Sequence, residues 1–191
     1  MSYIPKKTII YGGAFNPPTL AHQAILQGCI DYAQVQGADV WLLPSADRKD
    51  KAIKVNRDRR LVLCEALLKD IEHRTVTVVV STIELDRGIE TETYRTVREL
   101  AALYPEREFQ WVFGTDSIAS MPSWTRGDWM LRHLSLLITE REGSPYVSPG
   151  KNARLLGVNT GGISSTEVRR RMSAGEDYDD LVSPTVKTLL R

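Results

Sequence analysis

The fold of this chain is decided by one stretch, Gly12-Gly13-Ala14-Phe15-Asn16-Pro17-Pro18-Thr19-Leu20-Ala21-His22. An apolar run at residues 8–11 precedes it and an amphipathic segment follows, which predicts a strand, a tight turn and the start of a helix. The two glycines let the backbone turn sharply and approach a ligand with no Cβ in the way. The stretch therefore predicts a ligand-binding turn between a strand and a helix.

The helix after this turn indicates which ligand to expect. Its first turn presents unpaired N–H groups and the positive end of the helix dipole, and both favour a phosphate. Thr19 is predicted to cap the helix, and His22 three residues later shares its face. A hydroxyl and an imidazole therefore flank the expected anion site, as a nucleotide-binding and catalytic site requires.

The composition limits the class of protein. A length of 191 residues favours one domain, residues 1–191, and 42% hydrophobic with 26% charged residues is typical of a soluble globular protein. Lys and Arg number 25 against 24 Asp and Glu, so the overall charge does not favour nucleic-acid binding. No apolar run reaches the roughly 18 residues of a membrane helix, and residues 1–7 lack a signal-peptide pattern. No membrane partner is expected.

The cysteines indicate a reducing compartment. Cys29 and Cys64 fall on apolar faces of predicted helices and have neither CxxC nor metal-ligand spacing. We expect buried reduced thiols and a cytoplasmic location.

Strands and helices alternate along the chain. Apolar runs predict strands at residues 8–11, 39–43, 76–83, 109–113, 134–139 and 154–158, and the three- and four-residue spacing at 57–71 predicts a helix. Gly37 is predicted to end the first helix. This alternation predicts an α/β fold, a Rossmann-like, doubly wound parallel sheet with helices on both faces. Ligands of such sheets bind beyond the carboxyl ends of the strands, where Gly12 and Gly13 lie.

A second motif near the carboxyl terminus has two interpretations. It reads Gly161-Gly162-Ile163-Ser164-Ser165-Thr166-Glu167-Val168-Arg169-Arg170-Arg171. Ser164 and Glu167 form a capping box, which needs only the start of a helix. The alternative uses the rest of the motif, since three hydroxyl residues, two glycines and Arg169 are suited to hold a polyphosphate tail.

Together the two motifs resemble the nucleotidyltransferase superfamily with the HxGH-type signature. Phe15, Asn16, Pro17, Thr19 and His22 match its first motif, and the second motif matches without a gap at Ile163, Ser164, Ser165, Thr166 and Arg169. Within the superfamily the chain is most similar, nearly end to end, to the bacterial nicotinate-nucleotide adenylyltransferase family. The further matches are Gly114-Thr115-Asp116 with Trp124, Thr93 with Thr96, Arg141-Glu142-Gly143, and the segment from Leu181 to Val186.

The resemblance implies transfer of AMP from ATP to the 5′-phosphate of nicotinate mononucleotide, with release of pyrophosphate, in NAD biosynthesis. It implies catalytic roles for His22, Thr19 and Arg169. It implies ATP binding by Gly12, Gly13, Ala14, Phe15, Gly114, Asp116, Ile163, Ser164, Ser165 and Thr166, and acceptor binding by Asn16, Thr93, Trp124 and Arg141. The expected cofactor is Mg²⁺ carried with ATP, without a dedicated metal site in the protein.

Four departures from the family keep other acceptors open. Thr19 replaces a histidine, Ala21 a glycine and Glu92 an aromatic residue, and residues 47–51 replace a loop with proline and histidine. The alternatives are transfer to nicotinamide mononucleotide, phosphopantetheine or another phosphate acceptor, by an adenylyl- or cytidylyltransferase, and a non-catalytic nucleotide-binding module. A homo-oligomer also remains open.

Structural interpretations compete for several single residues. Asp116 could be a helix cap instead of a ribose or magnesium contact, and Trp124 could be a core residue instead of a platform for the pyridine ring. Seven basic residues lie between positions 48 and 60, where they form either a solvated loop or a lid over anionic substrates. They are Arg48, Lys49, Lys51, Lys54, Arg57, Arg59 and Arg60.

Overall fold

A parallel sheet organises the part of the chain that the computed structural model describes, residues 5–46, 55–87, 92–141, 143–158 and 160–191. Its strands are β1 (Lys6–Gly13), β2 (Asp39–Pro44), β3 (Val78–Val80), β4 (Arg107–Gly114), β5 (Ser135–Thr139) and β6 (Ala153–Leu155). They lie in the order β3-β2-β1-β4-β5-β6, and every pair is parallel. The order reverses between β1 and β4, which is the switch point of a doubly wound sheet. The predicted fold class is confirmed.

Helices connect these strands. They are α1 (Leu20–Gln36), α2 (Arg57–Lys69), α3 (Thr93–Leu103), α4 (Thr115–Ser120), α5 (Gly127–His133), α6 (Ser165–Ala174) and α7 (Pro184–Leu190), with short 3₁₀ turns at Leu85–Arg87 and Met121–Ser123. Gly37 ends α1 in the left-handed region at φ 63°, and its N–H donates to the carbonyl of Ala33. The predicted glycine cap of α1 is confirmed.

Side chains alternate between two cores along each central strand. In β1, Ile9 and Tyr11 belong to one core and Ile10 to the other. The first core contains residues of α1, α2, α6 and α7, such as Leu26. The second contains residues of α3 and α5, such as Leu100. Because a strand has a period of two, one sequence supplies both faces of the sheet.

The two edge strands are shorter than predicted. Instead of residues 76–83, only Val78–Val80 form β3, because this strand pairs with β2 alone and only at three positions. Similarly, β6 forms over Ala153–Leu155 instead of 154–158 and pairs with β5 alone. Val79 is 40% exposed, so the β3 edge is only partly covered.

The predicted buried thiols are confirmed. Cys29 and Cys64 are both buried and free, and burial raises the pKa of Cys64 to about 12. Within these described ranges, no helix has the length and apolarity needed to cross a membrane.

Candidate active site

A cleft of about 1350 Å³ opens at the carboxyl ends of the central strands. Tyr11 and Gly12 of β1, Phe113 of β4, Leu43 of β2 and Thr139 of β5 line its floor. Pockets for single small ligands measure roughly 300–1,000 Å³, so this cleft is larger than a site for one small ligand. The predicted residues that line it are Gly12, Gly13, Ala14, Asn16, His22, Thr93, Gly114, Asp116, Trp124, Arg141, Ile163, Ser164, Ser165, Thr166 and Arg169.

The amino-terminal ends of α1 and α6 meet at this cleft. Ser165 Oγ donates to the carbonyl of Pro17 at 2.8 Å, and Arg169 Nη1 donates to the carbonyl of Asn16 at 2.6 Å. Arg169 Nη2 also donates to Thr166 Oγ1 at 3.0 Å. Two motifs separated by about 150 residues therefore form one site, as the matched pair of motifs predicts.

The start of α6 combines the two interpretations of the second motif. Ser164 Oγ accepts a hydrogen bond from the Glu167 backbone N–H at 3.2 Å, which is half of a capping box. The Glu167 carboxylate instead binds Arg170 and Arg171, each through Nε at 2.9 Å. The hydrogen bonds of Arg169, by contrast, tie it to the rim of the cleft. Capping and a cleft-lining surface coexist at this helix end.

Glycine is required just before α6. Gly161 and Gly162 have φ values of 59° and 68°, in the left-handed region that other residues adopt only with strain. These two residues lead the chain into the Ser164 cap, so they set the direction from which α6 approaches the cleft.

His22 is held by the residue that caps its helix. The Thr19 backbone N–H donates to His22 Nδ1 at 3.1 Å, and Thr19 Oγ1 lies 2.7 Å from the same nitrogen. The Phe15 ring packs 5.1 Å from the imidazole, centroid to centroid. Burial, with a further contribution from the positive charge of Arg141, lowers the pKa of His22 to about 4. The imidazole is therefore neutral at physiological pH.

Two predicted contacts are placed differently. Thr19 is 0% exposed and does not line the cleft, and its hydroxyl lies against His22 and not on the surface where a phosphate is expected. Phe15 is also 0% exposed, and its ring packs edge-on against Tyr11 at 5.4 Å. The Phe15 ring is therefore packed beneath the turn and not exposed in the cleft.

The unusual backbone conformation of the tight turn lies at Phe15 and not at the two glycines for which it was predicted. Gly12 and Gly13 are the last residues of β1, and the positive φ in this segment belongs to Phe15, at 45°. A Cβ on Gly13 would lie 3.1 Å from the Phe15 ring. Gly13 is needed because that ring packs directly against the backbone.

Asp116 and Arg141 face each other across the ends of β4 and β5. Arg141 Nε lies 3.9 Å from Asp116 Oδ1, and both side chains are substantially exposed, at 39% and 60%. Gly114 is the N-cap residue of α4, so the interpretation of Asp116 as a helix cap is not supported. A Cβ on Gly114 would lie only 2.3 Å from Asp116 Oδ1. The glycine leaves space for this carboxylate.

Aromatic rings line another part of the cleft. Trp124 is half-buried, and Phe113 packs edge-on against it with centroids 6.0 Å apart. Thr93, the first residue of α3, lines the same cleft, as does Glu92 before it. Trp124 is thus both packed against the core and accessible from the cleft.

Sequence reasoning missed the part played by Arg60. This residue is only 3% exposed, and its Nη1 donates to the carbonyls of Ser45 at 2.5 Å and Ala14 at 3.3 Å. Both carbonyls belong to cleft-lining residues. The spacing in the sequence could have indicated this burial. Arg60 precedes the buried Leu63 and Cys64 of α2 by three and four residues, so it shares their face of the helix.

The other basic residues of this region do not form one group. Arg57 pairs with Asp86, and Arg59 donates to the carbonyl of Leu189. Arg48, Lys49, Lys51 and Lys54 lie outside the described residues. The hypothesis of a basic lid therefore loses Arg57, Arg59 and Arg60, whose guanidinium groups already have partners in the fold.

A second missed residue is Glu84. It is 7% exposed, lines the cleft and accepts a hydrogen bond from Thr96 Oγ1 at 2.7 Å. Thr96 was singled out by its sequence match alone, and its contact shows that it fixes this buried carboxylate.

The fold and this site, compared with known proteins, define an enzyme of the nucleotidyltransferase class. The sequence model of the cytidylyltransferase-like family matches residues 10–171. The probable nicotinate-nucleotide adenylyltransferase of Exiguobacterium sibiricum is 31% identical over 184 residues, covering 95% of this chain and 94% of the relative. That of Bordetella petrii is 28% identical and covers 95% of this chain and 94% of the relative. The chain belongs to the cytidylyltransferase-like family and, within it, to the nicotinate-nucleotide adenylyltransferases.

A solved structure shares the fold. Plasmodium falciparum nicotinic acid mononucleotide adenylyltransferase complexed with NaAD superposes with a TM-score of 0.83 at 21% identity, covering 97% of this chain and 94% of that one. The same enzyme complexed with APC gives a TM-score of 0.80.

Proposed function

We propose that this protein transfers AMP from ATP to the 5′-phosphate of nicotinate mononucleotide and releases pyrophosphate, a step of NAD biosynthesis. The observation that carries this proposal is the convergence of α1 and α6 on one cleft, with His22 and Arg169 beside it. The amino terminus of α6 attracts anions, and His22 on the first turn of α1 lines the same cleft, so the two can bind different parts of one triphosphate.

The chemistry needs positioning and not a strong base. An oxygen of the acceptor phosphate attacks the α-phosphorus of ATP, a new P–O–P linkage forms, and the α–β bond breaks as pyrophosphate leaves with the electron pair. The acceptor oxygen is already anionic at neutral pH. Holding the reactants in line can contribute about 7–11 kcal/mol, and each preorganised donor roughly 3 kcal/mol. A cleft lined by donors suits this reaction.

The described residues suit particular parts of ATP. His22 donates to an oxygen of the α- or β-phosphate, where charge grows during transfer, and Arg169 binds the β- and γ-phosphates. Gly12, Gly13 and Ala14 allow the phosphates to approach the backbone, and the Asp116 carboxylate suits the ribose hydroxyls.

ATP enters as its Mg²⁺ complex, since Mg²⁺ keeps several waters and binds mainly to phosphates. In the described ranges no group of three or more His, Cys, Asp or Glu is placed to hold a metal. Asp116, an exposed carboxylate on the cleft, is the residue suited to contact a magnesium ion carried by ATP.

The acceptor occupies the part of the cleft lined by aromatic and polar groups. Trp124 offers a flat face for the pyridine ring, while Thr93, Asn16 and Arg141 offer donors for its phosphate and substituents. The relatives named above support nicotinate mononucleotide as acceptor, and the two buried free thiols support a cytoplasmic location.

The test is an acceptor panel. The purified protein is incubated with ATP, Mg²⁺ and one of three acceptors, namely nicotinate mononucleotide, nicotinamide mononucleotide or phosphopantetheine, and both pyrophosphate and the adenylylated product are quantified. We expect equimolar pyrophosphate and dinucleotide with nicotinate mononucleotide. A higher kcat/KM for another acceptor would reassign the substrate, and no product with any of the three would reject the proposal.

A further inference from the structure

We propose that Thr19 is a positioning residue that fixes His22 as the tautomer protonated on Nε2, directed at the phosphates. The inference rests on the proposed function for its catalytic consequence, but the tautomer itself belongs to the free protein. It replaces the phosphate contact expected for Thr19 from its sequence position.

The hydrogen bonds at Nδ1 determine where the imidazole proton lies. The Thr19 backbone N–H donates to Nδ1 at 3.1 Å, so this nitrogen must be an acceptor and cannot carry a proton. Thr19 Oγ1, at 2.7 Å, then acts as a second donor to the same nitrogen. A neutral imidazole with Nδ1 as acceptor has its proton on Nε2.

Burial makes this arrangement strict. Thr19 is 0% exposed, so no water can replace its hydroxyl at the ring. The rings of Phe15 and Tyr11 pack 5.1 Å and 6.5 Å from the imidazole, centroid to centroid, and restrict its rotation. Placing a proton on Nδ1 would set its N–H group against the backbone N–H of the buried Thr19.

The consequence is a neutral and preoriented donor. His22 lines the cleft, and with Nδ1 occupied by Thr19 the ring offers Nε2–H as its remaining donor. A preoriented donor costs no reorganisation when charge develops on the phosphate oxygens. Thr19 therefore holds the imidazole of His22 at Nδ1, which leaves Nε2 to donate to the substrate.

The decisive experiment reads the tautomer directly. Two-bond ¹H–¹⁵N correlation spectra of ¹⁵N-labelled protein at pH 7.5, without substrate, distinguish a protonated from a bare ring nitrogen, and His22→Asn assigns the signal. We expect a bare Nδ1 and a protonated Nε2 for His22. His133 is an internal reference of the opposite kind, since its Nδ1 lies 2.8 Å from the carbonyl of Trp129 and must carry the proton. A His22 signal with Nδ1 protonated would overturn the proposal.

Variants of Thr19 test the contribution of the hydroxyl. Thr19→Val keeps the shape and the backbone donor but removes the hydroxyl, so we expect kcat to fall about 5-fold or more, the effect of one hydrogen bond, with an altered Nδ1 shift. Thr19→Ser, which restores the hydroxyl, should recover most of that loss. Wild-type kcat and an unchanged Nδ1 shift in Thr19→Val would overturn the role of the hydroxyl. If Thr19→Val does not fold, the tautomer of the wild type still tests the proposal, and Thr19→Ser should keep Nδ1 bare and retain most of the activity. A bare Nδ1 together with no activity on any acceptor would leave the tautomer standing and reject the proposed function instead.

Discussion

Ser165 Oγ and the carbonyl oxygen of Pro17 lie 2.8 Å apart, although 148 residues separate them in the chain. This hydrogen bond joins the start of α6 to the turn before α1, and it places Ser165 and His22 on the same cleft. Either motif alone is only a helix start with hydroxyl groups. Their contact places residues of both motifs on one cleft.

The first prediction concerns His22. In His22→Ala we expect kcat to fall 100-fold or more with little change in the Kd for ATP, because the donor acts mainly on charge that develops during transfer. Pyrophosphate release gives kcat, and calorimetry with an ATP analogue gives the Kd. If kcat in this variant equals that of the wild type, His22 is not catalytic.

The second prediction separates Arg169 from its neighbours. Arg169→Ala should weaken ATP binding about 10-fold and also lower kcat, since a charged hydrogen-bond donor at the phosphates is lost. Arg170→Ala is the matched control, because Arg170 is paired with Glu167 and Glu176 on the exposed face of α6. If Arg169→Ala binds ATP as tightly as Arg170→Ala and the wild type, the motif has only a capping role.

The third prediction uses the tight space at Gly114. Because an added Cβ would lie 2.3 Å from Asp116 Oδ1, Gly114→Ala must displace that carboxylate, and we expect the KM for ATP to rise about 10-fold. The added Cβ would also lie 3.2 Å from Arg141 Cγ, but the melting temperature should change little, since both crowded side chains are flexible and substantially exposed. Gly157→Ala is the control, as a Cβ there meets nothing within 4 Å. An unchanged KM in Gly114→Ala would show that ATP does not depend on the position of Asp116.

The fourth prediction concerns stability and pH. The pKa of His22 is lowered by burial and by Arg141 to about 4, from an ordinary value of 6.5. Between those two values the unfolded chain binds more protons than the folded protein, so this stabilising contribution is complete above pH 6.5 and is lost as the pH falls towards 4. His22→Asn lacks it.

Urea unfolding of the wild type and of His22→Asn from pH 7.5 to pH 4.5 measures this effect. The free energy of unfolding of the wild type should fall more steeply with decreasing pH than that of the variant. Parallel curves would mean that His22 titrates normally in the folded protein.

The sequence predicts the sheet well because the signal is local. Ile9, Ile10 and Tyr11 alternate between two cores, and the same alternation in β2, β4 and β5 needs no knowledge of distant contacts. The predicted edge strands are too long for the opposite reason, because the length of β3 depends on how many residues of β2 pair with it.

The sequence predicts which residues line the cleft, but it does not predict the direction in which each side chain points. His22, Arg169 and the residues around Ser165 line the cleft as their motifs indicate. The inward direction of Thr19 could not be foreseen, because it depends on where α1 docks. The Leu20 N–H donates to the carbonyl of Leu181 at 2.9 Å, a contact with the segment before α7. Arg60 was likewise grouped with surface charges, although tertiary packing buries it beneath Ala14.

The central claim is that one triphosphate is held by the starts of both α1 and α6. A crystal structure of the protein with α,β-methylene ATP tests it most directly. We predict phosphate oxygens within hydrogen-bonding distance of His22 Nε2 and, further along the same chain, of the Arg169 guanidinium and the first backbone N–H groups of α6. Phosphates bound at only one of the two helix starts would contradict the account.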